Sequence, residues 1–188
     1  MSCTSATGQT RTNSVATVTL PVVGKVGAVS SKVTTGTTST TASARTAGIN
    51  LLGGAVVADA VSVYSSAKST SGVGSGTGAT TFAGLKILGR SIAVNVAPNT
   101  QVALDVAGKR VGTVTLNQQS KGTRDGVYRS YTRGIVISLL AGNPFGLPGS
   151  TVIYISAAHA GRHDSSAGSS PPMPSSPTPR RWVSPTGP

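Results

Sequence analysis

The chain reads as an all-β protein, an antiparallel β-sandwich of jelly-roll-like form with a disordered C-terminal tail, and three observations lead there. Apolar residues recur with a period of two along most of its length, as in strands that bury one face. Gly, Pro and Asn turn signals separate the apolar stretches at short intervals. Apolar residues make up 37% of 188 and aromatics only 4%, so the core must be built from Val, Ile, Leu and Ala, which suit strands more than helix bundles.

The elements follow in order. Val18, Leu20 and Val22 alternate with Thr17, Thr19 and Pro21. Residues 55–67 are the best helical candidate, yet Val, Ser and Ala dominate them, and alternation sets Val57, Val61 and Val63 on one face of a strand. The glycine-rich run at 72–78 lacks the lysine and hydroxyl that complete a nucleotide loop, and is expected to be a flexible connection between two strands. After the turn Leu88-Gly89-Arg90, Ile92, Val94 and Val96 alternate with Ala93 and Asn95; after Pro98-Asn99 come Val102, Leu104 and Val106. Gly108-Lys109 and Asp125-Gly126 mark further turns, and Ile135, Ile137 and Leu139 form another strand. A longer Gly- and Pro-rich turn at 142–149 precedes Ile153, Ile155 and Ala157.

A β-solenoid is the alternative architecture. Residues 17–20 recur as 113–116, and 24–27 echo 108–112, but the two fragments exchange order between copies and so are not collinear repeats. The expected organisation is a flexible N-terminal segment at 1–13, a sandwich at 14–161 and a Ser/Pro-rich tail at 162–188.

Sixteen Lys and Arg face four Asp and no Glu, a net charge of +12. So few carboxylates leave little for acid–base or metal chemistry, while the basic excess favours polyanions such as nucleic acid or anionic cell-wall polymers. Cys3 is the one cysteine, so no disulfide forms within the chain. The first eleven residues hold no apolar run of the secretory-signal kind, and residues 152–160 are far short of the ~20 that span a bilayer; as read, the chain is expected to carry no export signal and no membrane span.

Candidate sites are few. Lys109, Arg110, Lys121, Arg124, Arg129 and Arg133, interleaved with Tyr128 and Tyr131, suit phosphate contact and ring stacking, against the plainer reading of a solvated hairpin rim whose cations guard strand edges. Arg180-Arg181-Trp182 in the tail would add weak attraction to anionic surfaces. Asp59 shares the face of Val57, Val61 and Val63 by alternation and is expected to be a buried structural acid satisfied by loop amides or an Arg, because an unpaired buried carboxylate costs several kcal/mol. His159 and His163 have metal-ligand spacing on a helix only, which Gly161 opposes, and the zinc-protease glutamate is absent. A Ser-His-Asp hydrolase using His159 lacks a Gly-x-Ser-x-Gly elbow. No catalytic residue, metal, cofactor or small-molecule substrate is therefore expected.

Gly48-Ile49-Asn50-Leu51-Leu52-Gly53-Gly54, Ala58-Asp59-Ala60-Val61, Thr80-Thr81-Phe82-Ala83-Gly84-Leu85-Lys86, Ala97-Pro98-Asn99-Thr100, Val114-Thr115-Leu116-Asn117-Gln118-Gln119 and Ala158-His159-Ala160-Gly161 run in this order between residues 15 and 161. Together they resemble the choice-of-anchor P family of exported proteins from high-GC Gram-positive bacteria. The resemblance implies a secreted or wall-associated module without enzymatic activity, and an extracellular or cell-surface setting; the alternative setting is cytoplasmic. The expected function is a noncatalytic structural or interaction module, with polyanion binding as the alternative and a hydrolase third. Exposed edge strands would permit homo-oligomers.

Overall fold

The structure, a computed structural model, describes residues 7–163. The strands are β1 (Thr10–Val15), β2 (Val18–Leu20), β3 (Gly24–Val26), β4 (Val29–Thr35), β5 (Ser39–Leu51), β6 (Val56–Thr70), β7 (Val73–Ala83), β8 (Lys86–Ile87), β9 (Arg90–Ser91), β10 (Thr100–Val106), β11 (Lys109–Arg124), β12 (Val127–Leu139) and β13 (Val152–His163). A single 3-10 turn at Leu52–Gly54 is the only helical segment among the described residues. Strands β1 to β9 form sheet A, whose main path runs β1-β4-β5-β6, and β10-β11-β12-β13 form sheet B. All pairings are antiparallel. The two sheets face each other, with β13 packed on β5 and β6, and β12 on β6 and β7. The chain is thus an all-β sandwich. Sheet B is a run of successive hairpins, whereas sheet A also joins strands apart in the chain, β1 to β4, β3 to β5 and β6 to β8, and antiparallel pairing within two layers leaves no solenoid.

Four hairpins close through two-residue turns, Ser71-Gly72, Leu88-Gly89, Ala107-Gly108 and Asp125-Gly126, in which both residues have positive φ. This is the type I′ geometry whose twist matches the flanking strands, and glycine at its second position adopts it without a Cβ penalty.

Several boundaries differ from expectation. Thr10–Asn13, assigned to the flexible segment, pair with β4 in β1. The sandwich runs to His163 rather than 161: Arg162 donates from Nη1 to the Gly36 carbonyl at 3.1 Å and from Nη2 to that of Thr37, tying β13 to the β4–β5 turn. Val22 sits in a turn with φ of 65° and is exposed. Ile92, Val94 and Val96 form no strand, because this stretch carries the chain from sheet A to sheet B. Its bonds go to three places: Ile92 N–H to Leu85 O, Phe82 N–H to Val94 O, and Asn117 Nδ2 to Val96 O. Cys3, residues 164–188 and with them Arg180-Arg181-Trp182 lie outside the described residues.

The run at 72–78 is not a flexible connection. Beyond the turn residue Gly72 it belongs to β7, and Gly74, Gly76 and Gly78 alternate on the face that closes against sheet B. A Cβ on Gly74 would stand 2.6 Å from the Tyr128 ring, and one on Gly78 would meet Thr132 Oγ1. Only glycine allows so close an approach.

Each sheet also contains a row at which three neighbouring strands change the face they bury. In sheet A the inward residues pass from Thr46 to Ile49, from Ala58 to Val61 and from Phe82 to Leu85. In β5 and just beyond β7 the slip falls at Gly48 and Gly84, with φ of 58° and 60°, both in register with Asp59 of β6. In sheet B the slips pass from Leu116 to Gln119, from Thr132 to Ile135 and from Ile155 to Ala158. They are centred on Asn117 (φ 50°), Gly134 and Ser156 (φ 55°). A left-handed residue turns the strand by one position without breaking its register. On one side of these rows lies the larger part of the apolar core, including Leu51, Val56, Leu85, Leu116, Ile135 and Ile137, each at most 1% exposed. On the other, beyond Val61, Val63 and Phe82, the sheets approach through small and hydroxyl side chains: Ser65 Oγ donates to the Ser130 carbonyl at 2.9 Å and also bonds Ser130 Oγ at 2.9 Å.

Candidate functional site

The row in sheet A overturns the expectation for Asp59. The slip between Ala58 and Val61 takes Asp59 off the face of Val61 and Val63, and it is exposed rather than buried. Its carboxylate lies over Gly84, where a Cβ would strike Oδ2. Asp59 needs no buried partner because it is not in the core.

The six cations do not form one cluster. Lys109 and Arg110 open β11, while Lys121 and Arg124 lie near its other end. Twelve residues at roughly 3.3 Å each separate Lys109 from Lys121 by about 40 Å. Arg110 is also occupied, its Nε donating to Asp105 Oδ1 at 2.5 Å.

The remaining four gather around the β11–β12 hairpin. Ser130 and Thr132 are fully buried, so the two-residue period places Arg129, Tyr131 and Arg133 together on the outer face of β12. Gln118, Ser120 and Arg124 share that face of β11. Tyr128, three residues from Tyr131, takes the opposite phase and packs against Gly74 and Gly76, so it is structural. Arg124 has a loose ion pair with Asp125 (3.6 Å), both largely exposed, which contributes little. Among the described residues Lys121, Arg129 and Arg133 form no ion pair. Ser120, Lys121, Gly122, Arg124, Arg129 and Tyr131 border a shallow hollow of about 260 Å³.

Aromatic rings stand within this basic face. Tyr131 is opposite His159 of β13 and stacks on it, ring centroids 3.9 Å apart and planes 4° from parallel. Two residues along, Arg133 donates from Nη1 to Gln118 Oε1 at 2.9 Å and lies over the Tyr154 ring, 5.1 Å from its centroid. Burial, and then the Arg129 guanidinium, hold the His159 imidazole below its usual value of 6.5, so at neutral pH the ring stacks uncharged. Among the described residues no carboxylate bonds His159, and no group of three or more His, Cys, Asp or Glu is placed to share a metal. His163 ends β13, exposed, beside the Asp125-Gly126 turn. No helix among the described residues is long and apolar enough to cross a membrane.

The sequence pattern paired Tyr131 with the cations but did not place His159, weighed there only as a metal ligand or hydrolase residue, or Gln118 and Tyr154 beside them. Tyr154 was legible, since Ile153 and Ile155 flank it on the buried phase. His159 was not, because the slip at Ser156 decides its face. A larger hollow of about 570 Å³ lies on sheet A, bordered by Thr12, Ser14, Ser30, Lys32, Ser43 and Arg45. It offers hydroxyls and two cations but no ring, and Arg45 is turned to Ser62 Oγ at 3.4 Å. No family model, curated protein or solved structure matches the chain.

Proposed function

We propose that this chain is a noncatalytic interaction module, exported or displayed at the cell surface, that binds polyanions through the outer face of β11, β12 and β13. The observation that carries the binding reading is the alignment of Arg124, Arg129 and Arg133 on one face, with Lys121 at its rim, in a chain with sixteen cations and four acids. Guanidinium groups on a flat face suit repeated phosphates, because each can donate two bonds and keeps its charge at any physiological pH. The resemblance of residues 15–161 to exported modules supports the setting. Open edges at β1 and β13 would also permit strand-to-strand association, but the charges and rings lie on the face rather than along these edges and favour binding.

The test is affinity for a phosphate polymer measured over a range of salt. Three arginine–phosphate contacts on a single strand predict a slope of about −2 in log K against log salt. Changing Arg124, Arg129 and Arg133 to Ser should abolish most of both affinity and slope, with the β-sheet circular dichroism retained. Binding that ignores salt, or is unchanged in the triple variant, refutes the reading.

A further inference from the structure

We infer that the polyanion bound at this face is single-stranded nucleic acid, with a base stacking on the open side of the His159 ring. The inference rests on the polyanion reading and names the polymer. A ladder of side chains crosses sheet B. Ser120, Tyr131 and His159 occupy one row on β11, β12 and β13. Ser120 is small, Tyr131 and His159 are stacked, and no strand lies beyond β13. The two-ring stack is therefore open at its outer end, where the exposed His159 presents a face with no neighbouring side chain in the sheet.

The space beside that ring is shaped for a flat apolar body. A crevice of about 350 Å³ runs along the free edge of β13, bordered by Val33, Ala42, Tyr131, Arg133, Ala157 and His159. Val33 and Ala42 come from the part of sheet A that extends past β13, and with Ala157 they give the crevice apolar walls. Arg129 and Arg133 stand two residues to either side of Tyr131, about 13 Å apart along the strand at roughly 3.3 Å per residue. The rings are thus flanked by guanidinium groups on both sides. This is the arrangement of a single-strand platform, in which cations follow the backbone and rings receive bases.

A teichoic-type polymer has phosphates but no π faces, and would use the arginines and leave the crevice empty. Duplex nucleic acid keeps its base faces covered by their neighbours. Only an unpaired strand uses both features. His159 contributes as an uncharged ring at neutral pH, consistent with its burial and with Arg129 beside it.

The deciding experiment measures fluorescence anisotropy of the full chain with a labelled oligothymidylate and with an abasic strand of equal length, at one salt concentration. The thymidylate should bind about tenfold more tightly, the size expected for one stacked base. That preference should vanish in His159→Ser and return in His159→Phe. Arg129→Ser should weaken both strands alike. His159 is exposed, so these variants spare the core. Equal affinity for the two strands with salt dependence intact would overturn this inference while leaving polyanion binding standing, as would binding of poly(glycerol phosphate) equal to thymidylate charge for charge. Binding of neither strand nor poly(glycerol phosphate) overturns both.

Discussion

His159 condenses the residue-scale physics of this protein. Its ring is stacked on Tyr131, partly buried, and beside Arg129, and each of the last two factors disfavours a proton. The unfolded chain takes up that proton near the usual imidazole value of 6.5, whereas the folded chain does so only at lower pH. Unfolding is therefore linked to proton uptake in this window, and stability, full above 6.5, declines as pH falls toward the folded value. Urea midpoints compared at about pH 7 and about pH 5 should show this loss, and His159→Phe should diminish it. An unchanged pH dependence in that variant would assign the effect to other groups. Asp59 teaches a related point: its environment is set by one slipped position in β6, and the carboxylate that strict alternation would bury lies in solvent over Gly84.

At the scale of elements, β7 shows how composition misleads when packing is ignored. Glycine weakens a strand by its backbone entropy and lack of side-chain packing, so a run with glycine at every second position suggests a flexible link. In β7 those positions are the ones where Tyr128, Thr132 and Gln119 of sheet B come closest. The cost of glycine is offset by the approach of the two sheets. Gly78→Val would drive a side chain into Thr132 Oγ1 and stand 3.0 Å from Gln119 Cδ even at its Cβ. It should destabilise the fold by about 2–3 kcal/mol in urea unfolding. Ser75→Val, on the exposed phase of the same strand, should change stability by less than about 0.5 kcal/mol. Equal effects at the two sites would mean that β7 does not close on sheet B.

For the whole molecule, the surface excess of cations and the sandwich architecture meet in a question of setting. A surface module should be recovered in wall or medium when native cells are fractionated and their peptides identified by mass spectrometry; recovery in the cytosol alone would reject the exported setting. The all-β class, the glycine turns near Gly89, Gly108 and Gly126 and the strands at Val102–Val106, Ile135–Leu139 and Ile153–Ile155 were legible in the sequence, because period-two burial and positive-φ turns are local properties that side chains declare within a few residues. The basic excess was equally legible, being a sum over residues. What the tertiary structure alone decided is which face each long strand presents beyond its slip, and which distant residues meet there. It exposed Asp59, parted Lys109 and Arg110 from the hairpin cations, turned Tyr128 inward and Tyr131 outward, and brought His159 onto Tyr131. A slip at Gly48, Asn117 or Ser156 involves a single position and leaves almost no mark on composition. It is fixed by the partner strands in the same row and by the opposing sheet, whose contacts are contributed by residues far away in the chain.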